Sequence, residues 1–282
     1  MTIAIEPRSR YLSVAGHEIH VTEWGDRAAP PVVMWHGLAR VGRDFDVLAR
    51  ALAPMYRIIC PDTIGRGLSS WSAKPDEDYT IHTYCAHAIE IMDQLGIGKA
   101  RWVGTSMGGI IGMALAGSEA GAARIERLVI NDVGPELVAE AVDRIKAYVT
   151  MVPEFPTIER FEAFLRVAYA PFGKLTDSEW RNLAETSVRR RDSGTFSAHY
   201  DPAVMRVFAE TAGAMDMWEL YDNIRCPTLV LRGETSDLLA PLVAEAMTKR
   251  GPKALLISVD GCGHAPMLNT ADQIAVLKGF LA

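Results

Sequence analysis

No stretch of the chain approaches the roughly 18 uninterrupted apolar residues that cross a bilayer; glycine, proline or a charged residue cuts each run first. A transmembrane helix is therefore not expected. The start, Met1 to Arg8, also lacks an apolar segment behind a basic one, so no secretory signal is read there. Cysteine is scarce, and Cys60, Cys85, Cys226 and Cys262 lie far apart without a C-x-x-C pair. That argues against a disulfide scaffold, a zinc knuckle or a redox dithiol, and a reduced cytoplasmic setting is expected. Positive charge is not in excess: 29 Lys and Arg against 35 Asp and Glu give −6, which offers no overall pull toward phosphate backbones or anionic lipid. Neither nucleic acid nor a membrane is expected as a partner. What is present is ordinary globular material, 282 residues of which 49% are apolar, enough for one large core or two smaller ones.

Short β-rich runs alternate with longer helical patterns. Tyr11 to Val14 and Glu18 to Trp24, joined by Ala15-Gly16, read as an antiparallel hairpin. Six near-continuous apolar runs follow, Pro31 to Trp35, Arg57 to Cys60, Arg101 to Gly104, Leu128 to Ile130, Thr228 to Leu231 and Ala254 to Ile257, as expected of strands covered on both faces. Helical patterns over Phe45 to Ala53, Ile81 to Leu95, Met107 to Ser118, Pro241 to Lys249 and Gln273 to Leu281 separate most of them. Right-handed βαβ crossovers and a doubly wound, mostly parallel eight-stranded sheet follow.

From Gly134 to about Asp222 the rhythm stops. No strand is read there, only helical patterns at Leu137 to Met151, Ile158 to Tyr169, Asp177 to Arg190 and Pro202 to Ala212. The predicted organisation is an α/β core of residues 1–134 and 223–282, with residues 135–222 inserted after the sixth strand as a helical cap. Such an insertion most simply folds back over the strand carboxyl ends, where α/β sheets bind ligands.

The strongest chemical signal is Gly104-Thr105-Ser106-Met107-Gly108, set between a β-run and a helix. Most serines near helix starts are only caps. In strand-turn-helix context, however, Gly-x-Ser-x-Gly is the signature of a nucleophile elbow, whose flanking glycines make room for crowded backbones. A serine hydroxyl is a weak nucleophile, so it needs a base, a carboxylate to orient that base, and donors for an oxyanion. His264, in a glycine-loosened loop after the last strand run, is the expected base. Asp237, just past the penultimate strand, and Asp132, ending an earlier one, compete as its partner, with Glu234 behind them. Asp237 is preferred because its loop would neighbour that of His264 if the last two strands pair. Backbone N–H groups of Met107 and Leu38 are the expected oxyanion donors, with His36 fixing the second loop.

Together, His36-Gly37, Asp62-x-x-Gly65-x-Gly67-x-Ser69, Gly104-x-Ser106-x-Gly108-Gly109, the Asp237 loop and Gly263-His264 resemble the α/β-hydrolase superfamily, in its capped, esterase-like branch. The resemblance implies a Ser106-His264-Asp237 triad, an oxyanion hole at Leu38 and Met107, a cap shaping the pocket, and a structural role for Asp62, Gly65 and Gly67. It implies no metal and no organic cofactor. Serine at the elbow speaks against the relatives that use aspartate there, the haloalkane dehalogenases and epoxide hydrolases.

The expected activity is therefore hydrolysis of a small-molecule carboxylic ester or lactone through an acyl-enzyme, by a monomer or homodimer. The alternatives are a carbon-carbon bond hydrolase of diketone ring-cleavage products, a cofactor-free perhydrolase, an acyltransferase, or a ligand-binding receptor on the same scaffold. His36, Arg40, Trp35, Tyr169 and Met267 are candidate substrate contacts; Trp71, Trp218, Met107 and Met151 are further candidates for an apolar lining. Arg40, Arg43 or Arg66 would bind a substrate carboxylate if they were not already paired with acids such as Asp44 and Asp46.

Overall fold

Successive side chains of a strand point to opposite faces, and the apolar runs use both. In Pro31–Trp35, Val33 and Trp35 enter one hydrophobic cluster while Val32 and Met34 enter another. The same division separates Trp102 from Val103, Leu128 from Val129 and Val230 from Leu229. A sheet with a core under each face results. The structure, a computed structural model, describes residues 6–137, 140, 142, 143, 146, 153–211, 213 and 215–282.

In chain order, β1 (Arg8–Val14) and β2 (His17–Trp24) form an antiparallel hairpin. Strand β3 (Pro31–Trp35) leads to α1 (Asp46–Leu52), β4 (Arg57–Pro61) to α2 (Pro75–Asp78) and α3 (Ile81–Gln94), and β5 (Ala100–Thr105) to α4 (Met107–Gly117). After β6 (Ile125–Asn131) comes the insertion, with β7 (Glu136–Leu137), α5 (Ile158–Ala168), α6 (Asp177–Ser187), β8 (Val188–Arg190), β9 (Phe196–Ala198), α7 (Pro202–Thr211), β10 (Met215–Asp216) and α8 (Trp218–Asn223). The chain returns through β11 (Thr228–Gly233), α9 (Pro241–Met247), β12 (Leu255–Val259) and α10 (Ala271–Leu281). The main sheet has eight strands in the order β1-β2-β4-β3-β5-β6-β11-β12. It is parallel from β4 to β12, while β2 runs antiparallel to both its neighbours. Helices α3, α4 and α9 cover one face, α1 and α10 the other. Among the described residues no helix is long and apolar enough to cross a membrane.

The expectation of a strand-free insertion is corrected. Segments β8 and β9 pair as an antiparallel hairpin, and β7 pairs with β10 where the insertion leaves and rejoins the core. Runs of two or three residues are too short to display a period of two, so pairing across the turn decides the structure. Arg189 and Arg190 accordingly sit on a strand, with their guanidinium groups over the rings of Trp71 (4.4 Å) and Phe196 (4.6 Å), rather than on a helix end. The helix expected over Leu137 to Met151, including Met151 as a lining residue, falls largely outside the described residues. Helices α5 and α6 pack on each other through Phe161, Leu165, Trp180, Leu183 and Ala184, a small core of their own. A capping box of Thr176 and Glu179 starts α6.

Main-chain hydrogen bonds join the insertion to the core at two loops. Gly67 N–H donates to His199 O (2.8 Å) and Asp201 N–H to Gly65 O (2.7 Å); on the other side Gly263 N–H donates to Pro171 O (2.7 Å). The first loop is held from beneath by Asp62. Its buried carboxylate accepts from His20 Nδ1 (2.8 Å), Gly42 N–H (2.7 Å) and Leu68 N–H (3.0 Å). Burial alone would raise the Asp62 pKa, but these donors, His20 foremost, hold it below the usual carboxylate range. Replacing one member of a buried charged network leaves the rest uncompensated. Asp62→Asn is expected to lower the unfolding free energy by about 3 kcal/mol in urea titrations; an unchanged midpoint would show that the loop does not depend on this carboxylate.

Candidate active site

The backbone at Ser106 is strained because strand β5 must turn into α4 without room for side chains. Ser106 has φ 52° and ψ −114°, a region that non-glycine residues occupy at a cost. A Cβ on Gly104 would stand 2.1 Å from Gly108 O, and one on Gly108 would stand 2.0 Å from Trp35 O, so both approaches are backbone against backbone. Ser106 N–H donates to Asn131 O (2.9 Å), and its own carbonyl accepts from Gly109 and Ile110 N–H. The turn is thereby fixed by the sheet on one side and the helix on the other. Its hydroxyl stands at the N-terminus of α4, where the first N–H groups have no intrahelical partner and the helix dipole favours negative charge.

His264 Nε2 lies 3.0 Å from Ser106 Oγ, and His264 Nδ1 lies 2.8 Å from Asp132 Oδ2. The carboxylate that meets the imidazole is thus Asp132, not Asp237. Asp132 is fully buried with φ 59°. Its Oδ1 accepts from Gly233 N–H (2.7 Å) and its Oδ2 also accepts from Ser236 Oγ–H (2.7 Å). The reason for the correction lies in Gly233, the last residue of β11. A Cβ there would stand 2.3 Å from Gly263 O and 2.9 Å from Cys262 O, so the His264 loop lies directly on the end of β11 and reaches β6 beyond it. The pairing of β11 with β12 does bring the Asp237 loop beside the His264 loop. Within that loop, however, Ser236 is buried against Asp132 while Asp237 is exposed.

The loop after β3 is shaped by a neutral histidine. His36 is buried, and burial lowers its pKa to about 4 against the opposing pull of Asp62 and the Gly37 carbonyl. Thr63 N–H donates to His36 Nε2 (3.0 Å), which fixes the proton on Nδ1, and Nδ1–H donates to Gly37 O (2.7 Å). Arg40 N–H donates to the same carbonyl (3.2 Å). In a planar trans peptide N–H points opposite to C=O, so Leu38 N–H faces away from the His36 ring. Gly37 itself packs on Ser106, since a Cβ placed there would be 3.7 Å from Ser106 Cβ.

Of the other expected contacts, His36, Arg40 and Met267 line one small cavity together with Gly37, Thr105 and Phe172. Arg40 is not a free cation. Its Nε and Nη2 donate to Asp44 (2.8 and 2.7 Å) and its guanidinium lies 4.8 Å from the centre of the Tyr169 ring. Burial would lower its pKa, yet Asp44 and Tyr169 raise it above the usual arginine value. Arg43 is likewise held by Asp46. Trp35 lies in the core, stacked on Trp102 at 5.4 Å with its Nε1–H donated to Thr63 Oγ1, so it is a support of the elbow rather than a lining residue. Sequence reasoning did not find Ser236 or the buried His20. An Asn-Asp pair ending a strand, which tolerates left-handed backbone, was the available signal for Asp132.

A family model described as the alpha/beta hydrolase family matches residues 32–277. The chain belongs to that family. This hydrolase is 39% identical over 280 residues, 95% of its own length and 94% of the relative's, to a 3-hydroxybutyrate-oligomer hydrolase of Cupriavidus necator. It is 26% identical over 264 residues, 90% and 95% of the two chains, to a pimeloyl acyl-carrier-protein methyl ester esterase of Xanthomonas campestris. An alpha/beta hydrolase structure from Novosphingobium aromaticivorans superposes with a TM-score of 0.87 at 34% identity, covering 98% of both chains.

The neutral state of His36 has a pH consequence. An imidazole in the unfolded chain takes up a proton near pH 6.5, whereas His36 in the folded hydrolase refuses it until about pH 4. Between those values the unfolded state binds more protons, so folding stability falls on acidification, by about 3 kcal/mol from this group once pH is below both values. In His36→Gln the unfolding free energy, measured by urea titration, is expected to vary less between pH 6.5 and 4; the same slope in both proteins would overturn the neutral assignment.

Proposed function

We propose that this hydrolase cleaves carboxylic esters through an acyl-enzyme on Ser106, with His264 as general base and Asp132 as its partner. The observation that carries the reading is the unbroken hydrogen-bonded series Ser106 Oγ, His264 Nε2, His264 Nδ1, Asp132 Oδ2 at 3.0 and 2.8 Å, on a strained turn that opens a helix. Ser106 Oγ attacks the ester carbonyl carbon while His264 Nε2 takes its proton; the C–O bond to the alcohol breaks and the alcohol leaves with that proton. Water then gives a proton to His264 and attacks the acyl carbon, and Ser106 Oγ recovers the proton as the acid departs. Asp132 holds the tautomer with the proton on Nδ1 and stabilises the imidazolium. Met107 and Leu38 N–H stabilise the oxyanion.

The substrates proposed are short esters of hydroxy acids, a class supported by the 39% identity to the Cupriavidus protein along nearly the full length of both chains. The protein is expected to give a burst of p-nitrophenol from p-nitrophenyl butyrate and to release monomer from linear dimers and trimers of 3-hydroxybutyrate, with both activities lost in Ser106→Ala. Tight binding without turnover in both proteins would instead indicate a receptor.

The two candidate carboxylates are separable by the same assay. Asp132→Asn is expected to lower kcat by roughly three to four orders of magnitude, and Asp237→Asn by no more than about twofold, as for an exposed residue away from the reacting groups. The reverse order would overturn the role given to Asp132.

A further inference from the structure

Arg66 is buried at 0% exposure, yet among the described residues its guanidinium meets no carboxylate. Buried Arg40 and Arg57 do, with Asp44 and Glu23 respectively. Placing a cation in a protein interior without a directly paired opposite charge is costly, and the groups that its guanidinium contacts among the described residues are neutral. Arg66 Nη1 donates to Ile64 O and Tyr84 Oη, both at 2.8 Å, and the guanidinium lies 5.0 and 5.6 Å from the ring centres of Tyr84 and Tyr79. The two remaining contacts point elsewhere. Nε–H donates to Leu38 O (3.0 Å), and Nη2 reaches Met107 Sδ (3.7 Å).

Leu38 and Met107 are the two residues whose N–H groups converge beside Ser106 in the reading above. We propose that Arg66 is the positioning residue of the oxyanion site, holding both donor residues with one planar group and keeping a fixed positive charge behind them. The inference rests on the serine ester hydrolase reading. His36 fixes the carbonyl on one side of the Leu38 N–H, at Gly37, and Arg66 fixes the carbonyl of Leu38 itself, so the donor peptide cannot rotate without breaking one of them. A charge already in place inside a low-dielectric interior acts on an oxyanion without reorganising at the moment of reaction.

Arg66→Met keeps an apolar stem and removes the charge and both tethers. Its kcat on p-nitrophenyl butyrate is expected to fall about 100-fold with KM within about threefold, because the interaction matters in the transition state. The Kd of n-butylboronic acid, which forms a tetrahedral anion on the nucleophilic serine, is expected to rise by about the same factor. Arg66→Lys keeps the charge but cannot span Leu38 O and the Met107 sulfur, and is expected to lose about tenfold in both quantities. Loss confined to KM, or an unchanged boronate Kd in a folded variant, would overturn the proposal; should Arg66→Met not fold, the same two outcomes are decisive in Arg66→Lys. A fluorophosphonate that labels wild type but not Ser106→Ala checks the underlying reading separately. Absence of labelling in wild type removes that reading, whereas labelling of Arg66→Met with undiminished boronate affinity removes only the role of Arg66.

Discussion

The candidate site depends on one buried carboxylate. Asp132 accepts hydrogen bonds from the end of β11, from the loop that follows it and from the imidazole beyond β12, so two later passes of the chain meet at its two oxygen atoms. A carboxylate in the interior is tolerated only when its lone pairs are filled. Gly233 N–H and Ser236 Oγ–H fill two of those that His264 leaves, and they fix the direction from which the ring can approach. The loop bearing the ring can take that path because β11 ends in a residue without a side chain. The lack of a side chain at Gly233 therefore bears on which carboxylate the His264 ring meets.

Much of this architecture was readable from residue order alone. All eight strands of the sheet lie where the hairpin and the six apolar runs place them, and helices α3 and α4 fall within the expected Ile81 to Leu95 and Met107 to Ser118, because a long helical segment or a continuous apolar run is visible along its own length. Ser106 and His264 stand out through local composition, glycines around each, and the structure brings the two side chains together. The choice between Asp132 and Asp237 had only a faint local signature, the Asn131-Asp132 pair at a strand end. It was decided by how far a loop reaches across neighbouring strands and by which of two adjacent side chains, Ser236 or Asp237, turns inward. The short strands of the insertion were hidden for a related reason, since their partners lie across a turn. Arg40, a candidate substrate contact, is paired with Asp44 four residues away.

Around Ser106, rigidity comes from neutral and charged groups used in different ways. His36 is kept uncharged by burial and works as a donor at one nitrogen and an acceptor at the other. Asp62 remains ionised in an equally buried position because His20 and two backbone N–H groups meet it. These two residues sit on adjacent loops, and Thr63, next to Asp62, joins them through its N–H to the His36 ring. The Trp35 indole bonds the Thr63 hydroxyl while its carbonyl packs under Gly108. A single connected scaffold thus runs from His20 on β2 to the first turn of α4.

The attachment of the inserted helices to this scaffold carries a mechanical consequence. Pro171 and Phe172 accept main-chain hydrogen bonds from Gly263 and Met267, on either side of His264, while His199 accepts from Gly67 and Asp201 donates to Gly65. Sideways travel of the segment around Pro171 would drag the imidazole with it and stretch its 3.0 Å approach to the serine hydroxyl. The inserted segment and the imidazole are in this way geared to each other through the main chain.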